Sequence, residues 1–591
     1  MTNPLLTPSA RSAGRIVVWV LFGLLVLAIL AAAWVGVRGY LAYGHVRDAQ
    51  QTVREIRANI TDTEATSTRV AELAEQTSSA HSLTSDPVWR AAEYVPWVGE
   101  QLSAVSTAIA TVDEVASSAL GPLVEVTQDF SVEDLRPTDG RINVEALASV
   151  QDVAAMSAER VSRAADRIEN IDRRPLLAPV AEQIDEVGEQ LRTASSGADA
   201  ITRASQLMPA MLGHEGPREY LLLFQNNAEA RSLGGLVGAM ALLRTDSGTI
   251  SLESQSAAVE FPRFDEPVLP LSDDRAALFD NQPARWMSNV TQIPDFTVSA
   301  PLAQAMWERQ TGQHVDGVIA VDPVALSYVL ESIGPLTLPT GDVITSENAV
   351  QLLLNDPYVR FDDPRQQDEF FQATAAAIFD AMLSGAAEPG PLLDAFTRAT
   401  REGRVAIWNE NEADQAVLDG TPLQGKPLDV RPEQTTFGVF LNDGTPSKMS
   451  FYSRVTSGAS WCTNESGGIE AVLEVALRNA APPAAATLPT SITGAGRIVP
   501  RGSTRTVTYL YLPEGAEIVS ATSSSNAGFG RGNDGDRSVL IWEAVLAPDE
   551  EVSATVRVST EYTHDLRVVT TPTVPGGSET VTPPCSVTEA G

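Results

Sequence analysis

Hydrophobic residues follow three rhythms along this chain. Ile16 to Val37 is continuous, 22 residues (IVVWVLFGLLVLAILAAAWVGV) without a charge. As a helix rising about 1.5 Å per residue, such a run crosses an apolar bilayer core of about 30 Å. Trp19 and Trp34 stand near its ends, where interfacial aromatics sit. From Tyr40 to Met208 the rhythm is helical. Val98, Leu102, Val105, Ile109, Val112 and Val115 recur at three- and four-residue steps, and Ile184, Val187, Leu191, Ala194, Ala198 and Ile201 do so again. Breaks at Ser85-Asp86-Pro87, near Pro137-Thr138-Asp139-Gly140 and at Arg174-Pro175 leave four segments, which predicts an antiparallel helical bundle. A partner-binding coiled coil is the alternative. From Glu219 the rhythm alternates. Strands are expected at Tyr220–Phe224, Leu236–Leu243, Thr249–Glu253 and Asp316–Val321, and helices at Pro301–Gln310, Val324–Ile333 and Pro364–Leu383. Such alternation indicates an α/β layer architecture. Beyond Gly425 the runs are strand-like and punctuated by Gly, Pro and Asp, which predicts a β-sandwich.

The expected fold is therefore multidomain. A cytoplasmic tail (1–15) precedes a single transmembrane helix (16–37) and a helical bundle spacer (38–210). An α/β central domain (211–405), a linker (406–430) and a C-terminal β-sandwich (431–591) follow. A cleaved signal peptide is the competing reading of the apolar run, with Ala31-Ala32-Ala33 as a cleavage site. Arg11 and Arg15 on one side nearly balance Arg38, Arg47 and Arg54 on the other, so charge alone does not orient the helix. The two cysteines, Cys462 and Cys585, favour an exported body, because disulfides persist outside the cytoplasm. The expected location is the cell membrane, single-pass, with the N-terminus cytoplasmic and the main body extracytoplasmic.

Composition narrows the function. Asp and Glu number 76 against 41 Lys and Arg, a net charge of −35. Long-range repulsion then opposes binding to nucleic acid, which is not an expected partner. The five histidines are scattered and the two cysteines lie in no metal motif, so no metal site is expected. A disulfide between Cys462 and Cys585 would close a long loop, contributing about 4–5 kcal/mol in the chain-entropy model. Free thiols are the alternative.

The candidate chemistry gathers in Tyr220–Ser254, YLLLFQNNAEARSLGGLVGAMALLRTDSGTISLES. An apolar strand ends at the amides Gln225, Asn226 and Asn227, followed by Glu229, Arg231 and the Gly234-Gly235 step. Arginine's planar fork suits phosphate oxygens, and paired glycines let backbone N–H groups turn toward an anion. With Arg360, Asp362 and Arg365 from a later segment, these residues could form one anionic-ligand pocket. Each also has a plainer role: the amides bonding backbone at a bend, Glu229 pairing with Arg231, the glycines relieving crowding, and Asp363 capping a helix before Pro364.

This stretch, YLLLFQNNAEAR followed by Gly234-Gly235, resembles the signature of the bacterial family called domain of unknown function 4012, as do Trp286–Phe296, DGVIAVDP and Tyr358–Phe371. More distantly, the order of these pieces is similar to the LytR-CpsA-Psr enzymes. Those are membrane-anchored proteins that move polyprenyl-pyrophosphate-linked glycopolymers to the cell wall. That resemblance implies arginines, here Arg231, Arg360 and Arg365, and magnesium-binding aspartates around a pyrophosphate. Ser232-Leu233 stands where the family has Asp after its first Arg, and the family's Ser-Ile-Pro-Arg-Asp step is missing. The expected function is therefore a membrane-anchored envelope protein whose central domain binds an anionic envelope ligand or partner without turnover and without a cofactor. A divergent glycopolymer phosphotransferase is the alternative, and only there does magnesium enter. Expected partners are the membrane, a polyprenyl-phosphate lipid or cell-wall glycopolymer, and other envelope proteins.

Overall fold

The computed structural model describes residues 8–58, 63–122, 136–138, 140–429, 434–464, 466–525, 527–560, 565–582 and 585. Residues 1–7 of the expected tail and the first residues of the expected C-terminal domain, 431–433, lie outside these. The chain forms two units, Met1–Asp134 with Glu145–Met208, and Leu135–Val144 with Pro209–Gly591.

In the first unit the apolar run does not end its helix. Helix α1 (Pro8–Ala58) carries it onward into the expected spacer, because the residues after Val37 contain no proline or capping signal. Most side chains from Val18 to Val37 are exposed. This is one N-terminal apolar helix of a length suited to an anchor or a signal. Among the described residues the further α-helices are α2 (Thr63–Thr84), α3 (Pro87–Ala92), α4 (Val98–Glu114), which a π-helical turn (Val115–Leu120) continues, α5 (Val144–Ser149), α6 (Gln151–Glu169) and α7 (Ala178–Met211). The break at Ser85-Asp86-Pro87 is present: Asp86 accepts from the backbone N–H of Val88 and Trp89, and Pro87 opens α3. Alanines dominate several contacts, with Ala42 against Ala80 and Ile109, and Ala49 against Leu73 and Ala116. Small residues let the helix backbones approach closely. Val161, Ile168, Ile184 and Leu191 join α4, α6 and α7 in a further cluster.

The second unit begins with a five-stranded sheet of order β3-β2-β1-β4-β7: β1 (Arg218–Arg231), β2 (Gly234–Asp246), β3 (Thr249–Ala257), β4 (Gly317–Val321) and β7 (Val405–Asn409). The β1–β4 pair is parallel and the others antiparallel. A two-residue strand pair, β5 (Leu336–Thr337) and β6 (Val343–Ile344), lies between β4 and β7 in sequence. The helices are α8 (Asp273–Phe279), α9 (Phe296–Thr311), α10 (Pro323–Ile333), α11 (Ala349–Leu354), α12 (Asp356–Arg360), α13 (Pro364–Leu383), α14 (Pro389–Arg401) and α15 (Glu412–Leu418). Helix α9 starts before the expected Pro301, capped by Asp295, whose carboxylate accepts from Thr297 N–H. The stretch 406–430, expected as a linker, supplies most of β7 and all of α15. Val405, Ala406 and Ile407 carry enough apolar surface to complete a sheet edge.

The C-terminal region is mostly strand. One sheet has the order β13-β14-β11-β8-β16 and the other β12-β15-β10-β9-β17. The strands are β8 (Thr435–Asp443), β9 (Ser453–Thr463), β10 (Ile469–Asn479), β11 (Thr504–Tyr511), β12 (Glu517–Ser523), β13 (Phe529–Asp534), β14 (Arg537–Leu546), β15 (Glu551–Ser559), β16 (Leu566–Thr570) and β17 (Ser578–Thr580). Val439, Leu510 and Trp542 of the first sheet share a core with Leu473 and Val556 of the second. The first sheet's other face, with Phe440, Tyr509, Tyr511 and Val539, enters the core of the central α/β region beside Met240, Phe296 and Trp307. A sheet buried on both faces explains why TTFGVFL carries no polar alternation. Cys462 and Cys585 form a disulfide across 123 residues, with Cα atoms 5.4 Å apart.

Candidate functional site

The amides do not end β1. They lie inside a single 14-residue strand, and the period of two along a strand sends neighbours to opposite faces. Asn226 therefore parts company with Gln225 and Asn227. The side chain of Asn226 donates to the Tyr358 hydroxyl at 2.8 Å. Asn227 points the other way and donates to Asp322 at 3.0 Å and to the Pro572 carbonyl at 3.2 Å. Gln225 accepts from Gly235 N–H at 3.0 Å. The one pocket expected from the sequence is thus divided by the strand that carries it.

On the Asn226 side lies a cleft of about 670 Å³. Phe224, Leu236 and Met240 of the sheet form one wall, and Leu326, Leu354, Phe371 and Ile378 of the helices form another. Its polar end is built from Asn226, Tyr358, Glu229 and Lys448. Lys448 Nζ sits 2.8 Å from the Glu229 carboxylate and 4.3 Å above the Tyr358 ring. Burial works against the Lys448 charge, but Glu229, Tyr358 and Asp443 together outweigh it and hold the ammonium above its usual range. Burial also pushes the Tyr358 hydroxyl up to about 12, so it stays protonated while accepting from Asn226. The charged lining residues are Glu229, Asp362 and Asp368 against Lys448 and Arg497, one more acid than base.

On the other side of β1 a cavity of about 540 Å³ carries Arg398, Arg401, Arg404 and Arg567 against the single carboxylate of Glu402. Two of these arginines are held in place by acids. Arg404 reaches Asp322 at 2.8 Å and Glu402 at 2.6 Å, and also donates to the Thr573 carbonyl. Arg398 lies 3.7 Å over the Tyr328 ring and 3.3 Å from Glu402. The same Asp322 accepts from Asn227 and caps α10 through Ala325 N–H. It therefore ties β1, α10 and the chain end near Pro572 into one buried polar node.

The arginines expected to converge do not. Arg231 is buried at the β1–β2 hairpin, donating to Asn289 at 3.1 Å and to its neighbour's carbonyl at 2.8 Å. Burial lowers its pKa, and Glu229 and Asp443 oppose that shift. Glu229 takes Lys448 rather than Arg231 as its ion-pair partner. Arg360 pairs with Asp342 at 2.9 Å, and Arg365 with Asp363 at 2.9 Å on an exposed helix start. None of the three lines either cavity. Gly234 and Gly235 serve the hairpin: Gly234 has φ of +132°, and a Cβ on Gly235 would lie 2.3 Å from the Asn226 carbonyl carbon. Between them and Arg231, Ser232 N–H donates to Asn442 of β8 at 3.1 Å. Of the nine expected ligand residues, the cleft therefore gathers Asn226, Glu229 and Asp362. The magnesium reading has no fitting residues. Asp363 is committed to capping α13 and to Arg365, Asp362 is exposed at the cleft, and the described residues hold no group of three acidic, His or Cys side chains placed around an ion.

Sequence reasoning missed Lys448 and the bonding role of Tyr358. No local pattern marks Lys448; it reaches the site from 219 residues beyond its partner Glu229. Asp443 was missed as well. Its buried carboxyl accepts from Thr445 and Ser450 near Arg231, and burial raises it to about 6.

No curated protein matches the chain. Residues 215–358, which run from just before β1 to the Tyr358 of the cleft, match the family described as Protein of unknown function (DUF4012), and the chain thus carries a DUF4012 family domain over those residues.

Proposed function

We propose that this is a membrane-anchored, extracytoplasmic envelope protein whose central domain binds a lipid-like ligand without turnover. The body is read as a helical bundle, the α/β domain and a β-sandwich, with α1 retained as the anchor. The observation that carries the function is the cleft itself. Its lining is rich in apolar side chains, and Asn226, Tyr358 and the Glu229–Lys448 pair form one connected polar group among its other polar residues. Ligand sites of this size are apolar with few directing polar groups. An acyl or prenyl chain lies along the walls, and a hydroxyl, amide or phosphate-ester end meets the polar group. Lys448 is already neutralised by Glu229, so the cleft orients a polar end without supplying the surplus charge that phosphoryl transfer requires. Tyr358 lacks a depressed pKa and Asn226 does not titrate, so neither is poised as a base.

The anionic ligand expected from the sequence is favoured by a different place, the arginine-lined cavity, where lining arginines outnumber acids. The phosphotransferase alternative draws no support from Arg231, Arg360 and Arg365, which have separate partners.

The test is a titration of the full chain in mild detergent with dansyl undecanoic acid. Gly238 lines the cleft, and a Cβ there would meet only Asn226 Cβ, at 3.9 Å. Gly238→Phe therefore starts from an unobstructed Cβ and projects a ring into the cleft. Saturable binding by the wild type, weakened at least tenfold in Gly238→Phe, is the expected result; equal binding by both rejects the cleft as the site.

A further inference from the structure

We infer that the turn between α3 and α4, residues 93–98, is a second membrane contact, seated in the headgroup layer of the bilayer that α1 crosses. The inference rests on the anchor reading proposed above and concerns the helical unit alone.

The level of the turn follows from how α1 packs. The apolar run stops at Val37, and the next residues meet the α2–α3 corner. Arg38 reaches Asp86 at 2.8 Å and the Ser82 carbonyl at 3.2 Å. The Trp89 ring lies 3.7 Å from where a Cβ on Gly39 would stand. Helix α4 then runs in the same sense as α1, because Ala42 shares a cluster with Ile109, and Ala49 shares the next with Ala116. Val98 lies about 16 Å before Ile109 along α4 at the usual helical rise. The same distance back along α1 from Ala42 reaches about Ala31, inside the apolar run. Ala31 and Val35 are half-buried where the residues around them are exposed.

The turn presents the side chains such a level calls for. Tyr94 is 89% exposed and Trp97 64%, with Val95 and Val98 exposed beside them. Four neighbouring apolar side chains facing water would be an unusual surface. At a headgroup layer, Tyr and Trp set a ring in the acyl boundary and a polar tip among the lipid heads. The backbone is fixed in advance. Val95 N–H donates to Ala92 O at 3.0 Å and Gly99 N–H to Val95 O at 2.7 Å. Trp97 holds φ of +69°, an uncommon conformation for a bulky residue. The α6–α7 turn joins the same end: Gln101 bonds Pro175 O at 2.8 Å and Leu177 N–H at 2.9 Å, with Leu177 and Arg174 exposed. Continuity with the apolar segment makes lipid the occupant.

The experiment uses the full chain in phosphatidylethanolamine–phosphatidylglycerol vesicles. Cys462 and Cys585 are joined to each other, so an NBD label goes to one introduced cysteine: Trp97→Cys, Tyr94→Cys, Val26→Cys in the apolar run, or Glu75→Cys on the exposed face of α2. Lipid doxyl-labelled at carbon 5 is expected to quench the probes at 94 and 97 several-fold more than the probe at 75. Lipid doxyl-labelled at carbon 12 is expected to quench the probe at 26. Probes at both 94 and 97 as unquenched as that at 75, with 26 quenched, overturn the turn's membrane contact while the anchor stands. An unquenched probe at 26 removes the anchor and this inference together.

Discussion

Two cavities flank the same strand, and one stretch of sequence feeds both. On one face of β1 the walls are apolar, and the strong charges at the polar end, Glu229 and Lys448, cancel each other. On the other face, four arginines outnumber one glutamate among the lining residues. Part of the difference comes from strand geometry, with an irregularity between Asn226 and Ala230 that lets Glu229 join Asn226 on the cleft side. Residues 221, 223, 225 and 227 are buried while 222, 224 and 226 are half-buried, the alternation a strand imposes on two faces. A cluster of polar residues in sequence is therefore two half-clusters in space. The local acidity of a chain at −35 does not prevent one face from collecting arginines that are anchored by Asp322, Glu402 and a backbone carbonyl.

The largest expected effect breaks the cleft's neutrality. Lys448→Met leaves the Glu229 carboxylate mostly buried without its partner, and urea unfolding is expected to show a loss of about 3–5 kcal/mol. Glu229→Gln combined with Lys448→Met is expected to recover much of it. A Lys448→Met protein as stable as wild type would mean that the pair is a loosely held ligand contact rather than part of the fold.

The next effect concerns the buried acid near Arg231. Asp443 is raised to about 6, against about 3.9 for an unfolded aspartate. Its carboxyl therefore binds a proton more tightly in the folded state, and the linked stability is present below about pH 4 and lost as pH rises through about 6. Across that window wild type is expected to lose about 3 kcal/mol relative to Asp443→Asn, with the difference flat above it. A pH-independent difference would place the charge in contact with water.

The smallest effect separates the expected arginines from both cavities. Arg360→Ala and Arg365→Ala remove exposed ion pairs, each expected to cost at most about 1 kcal/mol, with dansyl undecanoic acid binding unchanged. A tenfold change in that binding from either variant would join its arginine to the cleft.

Local signals made several elements legible. The apolar run, the break at Ser85-Asp86-Pro87 and the helix start at Asp363-Pro364 all act within a few residues, and Asp86 and Asp363 each cap a helix. What was hidden depends on distant partners. The expected strand stops at the amides Gln225 to Asn227, but the strand runs on to Arg231 and into a hairpin whose tip grips Asn442 of β8. The strand-like runs beyond Gly425 predict a β-sandwich, and the lack of alternation in TTFGVFL reflects burial of that strand on both faces. Lys448 carries no local mark, because its role is set by Glu229 and Tyr358, which reach it from other elements.

The central claim is that the apolar cleft holds a lipid-like ligand. It is tested most directly by extracting the full chain from its native membrane with mild detergent and measuring organic-soluble molecules that co-purify, by mass spectrometry, for wild type and Gly238→Phe at matched folding and yield. The account predicts a stoichiometric lipid on wild type and its loss from Gly238→Phe. The same lipid in the same amount on both proteins would contradict it.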